Sequence, residues 1–540
     1  MTETFDYIVV GAGSAGCVVA NRLSESGKYS VALVEAGNSD KKFWVNMPLG
    51  IGQMLTNPNF AWQYHTEAET ALQGQSIYWP RGRMLGGSSS LNGMIYVRGE
   101  PKRYDEWRDA GNTGWGWSDM LPYFKKLEDA PNSTDPAYRG RGGPLTCTYG
   151  TYRDPVSRAF IEACKGVGIP YNEDYNGAKA DGVAWIQFNI RNGKRWSAAR
   201  AYIDPIVGKR ANFTLMMGAS CDRITFEGKR ATGIEVFQNG ETRTLKARKE
   251  VILSAGPIIS PKLLELSGIG DPTILKQHGI EVRHALPGVG EHLQDHLQTR
   301  INYRINKAVT VNDLLNSKVR GATELLKYLA TRRGLMATPS ATAHAMVKSY
   351  EAAPYADLKL QITMYSAEDR YLDKSKSALT DPFSGIGLGQ FHIYPESRGS
   401  LHIKSPDPRE NPKMVANYFS AQGDIETALI SMRKMRDLAR HPALAEHIVG
   451  ETLPGMDMQS DDEIIDYMKR TGQTSWHPIS TCRMGTGPTD VVDPTLKVKG
   501  LEGLRVIDSS IMPSMPATNT NIPTIAIGEK GSDLVLADAG

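Results

Sequence analysis

The 540-residue sequence has little of what would tie it to a disulfide scaffold, a nucleic acid or a membrane span. Its five cysteines, Cys17, Cys147, Cys164, Cys221 and Cys482, are odd in number and scattered, with no C-x-x-C pair. That excludes a disulfide framework and a cysteine zinc site, and it fits a reducing compartment; no metal is expected. The formal net charge is only +3, so no basic field marks a nucleic-acid partner. No uncharged apolar run reaches the roughly 18–20 residues that a spanning helix needs. An apolar strand pattern starts near Phe5 with no basic stretch ahead of it, so no secretory leader is expected. There is no internal repeat and no low-complexity tract. The expected location is the cytoplasm, with peripheral contact at the inner membrane face as the alternative, and monomer and dimer both stay open.

What the sequence does have is glycine in a pattern. From Phe5 it reads FDYIVVGAGSAGCVVANRLSESGKYSVALVEAGN. Tyr7 to Val10 reads as a buried strand, and Gly11 and Gly13 allow a tight turn with close backbone approach. Gly16 lets a helix beginning near Ala15 pack on that strand, its free N–H groups facing a diphosphate. Ser30 to Val34 reads as the second strand. Glu35 closes it nineteen positions after Gly16, where a carboxylate accepts from a ribose hydroxyl. The order strand, turn, helix, strand, acid predicts an ADP-containing dinucleotide. NAD and FAD share the ADP half, so both stay open on this stretch.

The theme returns twice. Between 212 and 256 three strand-like runs (FTLMM, RITFEG, TGIEVF) lead into EVILSAGPIISPKLLELSGIG, where Val251–Leu253 passes through Ala255, Gly256 and Pro257 into a helix. Near the end, LRVIDSSIMPS reads as a strand reaching Asp508, and NIPTIAIGEKGSDLVL as a helix entered through Pro523. At this length two or three structural units are expected. The expected fold class is α/β with an α+β second domain: a Rossmann-like dinucleotide domain from 1–160, 190–300 and 470–540, and a smaller substrate domain from 161–189 and 301–469, built on an antiparallel sheet with helices. Asp313 to Gly334 carries leucine and valine at helical spacing, with five basic residues against two acidic. Such an amphipathic helix ordinarily packs its apolar face on its own domain; the alternative is an anionic membrane surface.

Longer stretches carry a family resemblance. GRMLGGSSSLNGMIYVRGEPKRYD (Gly82 to Asp105) and GPIISPKLLELSGIG (Gly256 to Gly270) resemble the two signature motifs of the glucose-methanol-choline (GMC) oxidoreductases. HLQDH at His292, PESRGSLHIKSPDP at Pro395 and SWHPISTCRMG at Ser475 support it, and the resemblance runs from Asp6 to about Leu536. In look the sequence is nearest to bacterial choline, aliphatic-alcohol and polyethylene-glycol dehydrogenases.

The resemblance implies FAD. It implies a noncovalent flavin, because the histidine that some members use for attachment is here Leu91. Gly11, Gly13, Ser14, Ala15, Gly16, Glu35 and Ala36 would hold the ADP half, with Cys221 at the adenine through its backbone. Arg83, Gly87, Ser88, Asn92, Gly93 and Met94 would follow the pyrophosphate and flavin, joined by Ala255, Gly256, Asp508 and Ser509. Asn521, Ile522 and Thr524 would meet the ring. The implied reaction is oxidation of a primary alcohol to the aldehyde by hydride transfer to the flavin, with electrons passed to a quinone-like acceptor. His477, whose ordinary pKa near ~6.5 suits a base at neutral pH, would take the hydroxyl proton, and Asn521 would donate to the oxygen. An oxygen-using alcohol oxidase and a lyase of the hydroxynitrile type are the alternatives on the same scaffold. Met94, Met364, Tyr365, Phe391 and Trp476 are expected to line the substrate pocket, with Tyr394 nearby and Glu368 and Asp369 as candidate anchors for a cationic substrate. His292 stands where the family usually has Asn, either as a tolerated swap on a strand or as a second titratable ring near the flavin.

Overall fold

The run ETFDYIVV forms the strand Glu3–Val10, and from Tyr7 to Val10 every side chain is buried. A continuous buried run is the mark of a central strand covered on both faces. The computed structural model describes residues 3–306, 308–367 and 380–539, which form a mixed α/β molecule around two seven-stranded sheets. In the first sheet Glu3–Val10 lies parallel to Val31–Glu35 on one side and Glu241–Leu253 on the other. Phe213–Met217 extends the sheet beyond Val31–Glu35, and Leu504–Val506 pairs in parallel with the end of the long strand 241–253. Of the three strand-like runs, Ser220–Glu227 and Arg230–Gln238 form an antiparallel meander with Glu241–Leu253, whereas FTLMM is the parallel strand Phe213–Met217.

Two helices close on this sheet because glycine lets them. An added Cβ at Gly16, in the helix Ser14–Leu23, would lie 1.9 Å from the Gly11 carbonyl oxygen. A Cβ at Gly528, in the helix Asn521–Asp538, would press on Val18 and the Ala15 backbone at 3.0–3.2 Å. The strands Glu3–Val10, Val31–Glu35, Glu241–Leu253 and Leu504–Val506 all end on the same edge. Gly11, Glu35, Ala255 and Asp508 therefore gather there, in the crevice outside the carboxyl ends where α/β sheets bind ligands.

The second sheet is antiparallel, in the order Ile448–Leu453, Leu297–Ile305, Gly385–His392, Leu358–Thr363, Ala341–Val347, Gly182–Trp185. Helices Pro155–Gly166 and Gln422–Arg440 cover it with a second apolar core. A short ladder from Gln473–Thr474 to Leu297 and Gln298 ties the chain just before His477 to this sheet. That ladder sets the segment carrying His477 beside residues 295–296.

The basic amphipathic segment becomes two helices, Val311–Asn316 and Lys318–Thr331, broken at Ser317, whose hydroxyl caps the second. Its apolar face is only partly packed on its own domain: Leu314 is buried in the second core and Leu325 is half-buried. Leu315, Val319, Leu326 and Leu329 are 58%, 77%, 67% and 45% exposed, and Tyr328 alone in the second helix is buried. In the second helix the inward surface is taken by Tyr328, so Val319, Leu326 and Leu329 fall on the outer side.

Candidate active site

A cavity of about 1180 Å³ extends from the carboxyl edge of the parallel strands to the antiparallel sheet. At its first end Gly11 has φ +95°, and an added Cβ would come within 2.6 Å of the Ser254 carbonyl oxygen. A Cβ on Gly87 would lie 2.8 Å from Gly13 Cα, so the loop carrying Gly87, Ser88, Asn92, Gly93 and Met94 packs backbone to backbone on the first turn. The helices Ser14–Leu23 and Asn521–Asp538 both start at the cavity, and neither has a side-chain cap. Their free N–H groups and positive dipole ends suit a diphosphate and an electron-rich ring.

Glu35 accepts from Ala12 N–H at 2.9 Å and Gly37 N–H at 2.7 Å. Burial pushes its carboxyl up to about 7, against those two hydrogen bonds and Arg83. Arg83 Nε is buried without a protein partner. Asp508 accepts from Gly256 N–H at 2.9 Å and Ser260 Oγ at 2.6 Å, which caps the helix Gly256–Leu266. Ala15, Ala36, Cys221, Ala255, Ser509 and Thr524 also line the cavity. The glycine cradle, the uncapped helix starts and the unpartnered Arg83 Nε fit an extended dinucleotide. Two expected residues stand behind the wall instead. Gly16 serves helix packing, and Ile522 is buried in the core of the first sheet. Leu91 lines the cavity while packing on Val45, Met54, Ala61 and Met84.

At the other end His477 sits in a chain of hydrogen bonds whose direction can be read. His296 Nε2 lies 2.7 Å from the Ile393 carbonyl, which only accepts, so His296 carries its proton on Nε2 and offers Nδ1 as an acceptor. His477 Nδ1, 2.9 Å from His296 Nδ1, must then be the donor. That leaves His477 Nε2 with its lone pair, and Asn519 Nδ2 donates to it at 2.9 Å. Asn519 Oδ1 in turn accepts from Lys359 Nζ and from Thr518 Oγ, both at 3.0 Å. Lysine has donors only, so the Asn519 atom facing it is the oxygen. The His477 backbone N–H is fixed at 2.7 Å on Asp295, which also accepts from Thr474 and Tyr418.

The electrostatics keep the His477 imidazole neutral. Burial, then His296, Lys359 and Arg81, hold the His477 imidazole well below its ordinary value. Burial takes His296 down to about 3 and Lys359 to about 7, and raises Asp295 to about 6 despite its hydrogen bonds. Trp476 next to the base adopts φ +63°, a conformation costly for a bulky residue, and Arg81 pins its carbonyl at 2.7 Å.

The expected partner of His477 is thereby corrected. Asn521 Oδ1 accepts from Ser14 Oγ at 2.7 Å and joins the two helix starts, whereas Asn519, in the turn before the helix, reaches the imidazole. Met94, Tyr365, Phe391 and Trp476 line the cavity, but Met364 is core and meets Ser157 Oγ at 3.7 Å. Along Leu358–Thr363 and just beyond it, Gln361, Thr363 and Tyr365 face the cavity and Leu360, Ile362 and Met364 the core, the two-residue period of a strand. Tyr394 packs edge-on against Tyr355 under Arg103 instead. Glu368 and Asp369 lie outside the described residues. His292 is not on a strand: it takes φ +62°, a left-handed position that asparagine also tolerates, away from the cavity wall.

The residues missed from sequence are His296, Asn519, Lys359, Gln298 and Arg300. His296 stands inside HLQDH and Asn519 two places before Asn521, so both were in view without a role. The carboxylates lining the cavity among the described residues are Glu35 and Asp508, both at the dinucleotide end; the other end has Arg81, Gln298 and Arg300, the last bonded to Tyr365.

Comparison with known proteins shows the family of the chain. The family models described as GMC oxidoreductase match residues 5–298 and 395–528. The chain is 40% identical to an oxygen-dependent choline dehydrogenase of Vibrio vulnificus (strain YJ016), over 99% of this chain and 95% of that one. It is 36% identical to an alcohol dehydrogenase [acceptor] of Pseudomonas putida, over 98% and 96%. The solved structure of pyridoxine 4-oxidase from Mesorbium loti superposes with a TM-score of 0.87 at 31% identity, covering 98% of both chains.

Proposed function

Because the chain belongs to the GMC oxidoreductase family, with FAD as its cofactor and CH–OH donors as its substrates, we propose that it oxidises a neutral primary alcohol to the aldehyde. In this reading His477 Nε2 takes the hydroxyl proton and Asn519 Nδ2 holds the oxygen. The observation that carries it is the one-way hydrogen-bond chain that leaves the His477 lone pair on Nε2, beside the Asn519 amide, inside the cavity. A substrate hydroxyl that replaces the Asn519–His477 hydrogen bond donates to His477 Nε2 and accepts from the Asn519 amide. As the proton moves to Nε2, the imidazolium keeps its Nδ1–H on His296, and the amide meets the negative charge growing on oxygen. The bound flavin supplies the acceptor for the hydride that leaves the carbon.

A neutral substrate is supported by the wall. Choline would ask for a carboxylate or aromatic cage at its trimethylammonium; among the described residues no carboxylate lines this end, and its rings Tyr365, Phe391 and Trp476 stand with Arg81 and Arg300, the latter already 5.3 Å over the Tyr365 ring, whose charges oppose a cation. Anaerobic flavin bleaching compares choline with 3,3-dimethylbutan-1-ol, its neutral isostere. The neutral alcohol is expected to reduce the flavin faster; faster reduction by choline overturns this part. His477→Ala should slow flavin reduction by about 10²–10⁴ with FAD still bound, and a wild-type rate would remove His477 from the mechanism.

The acceptor in this reading is a quinone met at an anionic lipid surface. Leu315 and Trp44 line the cavity and are also exposed, so its mouth opens beside the outward stripe Leu315, Val319, Leu326, Leu329. Lys318, Arg320, Lys327, Arg332 and Arg333 flank the stripe against Asp313 and Glu324, the pattern of a helix lying in a membrane interface. Flotation of the holoenzyme with phosphatidylglycerol vesicles, and its loss in Val319→Glu/Leu326→Glu, is the expected result. A lipid-independent dimer broken by the same change would assign the stripe to a second copy instead. Faster electron transfer to quinone-like dyes than to oxygen is expected; stoichiometric peroxide at a comparable rate would favour the oxidase reading.

A further inference from the structure

We propose that Lys359 is a positioning residue of this site: its Nζ fixes the side chain of Asn519 so that the amide NH₂ faces His477 and the substrate oxygen. The inference rests on the role given to Asn519 above and goes beyond it. Lys359 lies in Leu358–Thr363, where all six residues are buried, and its own exposure is 0%. Its Nζ is 3.0 Å from Asn519 Oδ1 and 5.4 Å from the centroid of the Phe391 ring. Burial alone accounts for the fall of its ammonium to about 7, with no carboxylate offsetting it. Lysine is almost never fully buried unless paired, and a methionine would fill the same strand position without that cost. The amine therefore acts on the group it touches.

A terminal amide is nearly symmetric in shape, and only its partners decide which end is oxygen. On one side Asn519 meets the unprotonated Nε2 of His477 and on the other Lys359 and Thr518. The Thr518 hydroxyl can donate or accept, so it does not choose. As the ammonium, Lys359 can only donate, and in that form it does choose. Without it, Asn519 can turn its carbonyl to His477. That carbonyl would call for a proton on Nε2, stabilise the imidazolium and take away both the base and the donor to substrate.

The charge acts in the same direction. The groups facing His477 are His296, Lys359, Arg81 and, through the backbone N–H, Asp295. Lys359 makes protonation of His477 harder; losing it raises the His477 pKa. A turned amide raises it as well, so both effects move the acid limb of the pH profile upward.

The test is a cycle of Lys359→Met, Asn519→Ala and the double variant, reading anaerobic flavin reduction across pH in enzyme of known flavin content. Lys359→Met is expected to slow reduction at saturating substrate about ten- to hundredfold, the scale of one lost donor, with KM little changed and the acid limb shifted up. In the Asn519→Ala background it should cost nothing further. An additive double variant, or a single variant with an unmoved limb, overturns the proposal. If Lys359→Met fails to retain FAD, Lys359→Gln replaces it in the same cycle: it keeps a donor and drops the charge, so a smaller rate loss, a raised limb and non-additivity are expected, and additivity again overturns it. Wild-type rates in Asn519→Ala would sink the reading of Asn519 itself; a slow Asn519→Ala beside a wild-type Lys359→Met would sink only the role of Lys359.

Discussion

Replacing His296 by leucine separates the tautomer of the base from the base itself. In the structure His296 accepts from His477 Nδ1–H at 2.9 Å and donates to the Ile393 carbonyl at 2.7 Å. Leucine removes the acceptor while leaving His477 and Asn519 in place. In the resting enzyme the lost bond is neutral, worth ~0.5–1.5 kcal/mol, but as His477 takes the proton its Nδ1–H belongs to a cation and the bond is worth ~1.5–3 kcal/mol. The transition state therefore loses about 1–1.5 kcal/mol more than the ground state, roughly a five- to thirteenfold drop in the flavin reduction rate. Stopped-flow reduction under anaerobic conditions reads it directly, and bound flavin checks integrity. His296→Asn should recover most of the loss, since its side-chain oxygen can take the place of Nδ1. A leucine variant as fast as wild type, or an asparagine variant no better than leucine, would refute the directional chain.

Three further outcomes are expected. Asn519→Ala should lose about 10²–10³ in flavin reduction, the usual cost of an oxyanion donor, whereas Asn521→Ala should mainly weaken flavin retention because it breaks the link to Ser14 at 2.7 Å; reversed phenotypes would restore Asn521 as the catalytic amide. Acid precipitation should release the flavin into the supernatant, because Leu91 offers no nucleophile for attachment; colour left on the pellet refutes it. His402 lies 2.7 Å from Glu265 and 3.0 Å from Glu291, and although burial opposes its charge these carboxylates raise its pKa to about 9. That stabilisation is complete below about 6.5 and is lost as pH rises through about 9, at most about 3 kcal/mol; His402→Gln should flatten the fall in Tm between pH 7 and 10, and an unchanged fall removes the pair from the balance.

Much of the dinucleotide end was legible in the sequence because its chemistry is local. Gly11 and Gly13 set the turn, Gly16 sets the helix on its strand, and Glu35 ends the next strand a fixed distance on. Glycine backbone lines much of that end, and backbone geometry follows from where glycine stands. The pocket wall was half legible. In LKLQITMY the strand period sends odd positions one way and even positions the other, so Met364 and Tyr365 could not both face the cavity, and the alternation already divided them.

The sequence by itself determined the class of cofactor, the doubly built nucleotide edge and the histidine-bearing segment SWHPISTCRMG, since each depends on short stretches whose spacing fixes their shape. Only the tertiary structure decided which asparagine meets His477. Asn519 and Asn521 are two residues apart with the same side chain, and the difference lies in the turn that enters the last helix: one amide is met by His477 and Lys359, the other by Ser14. His296, Lys359, His477 and Asn519 come from four segments separated by up to 223 positions. No local spacing relates them, because their contacts exist only once the antiparallel sheet has closed against the parallel one.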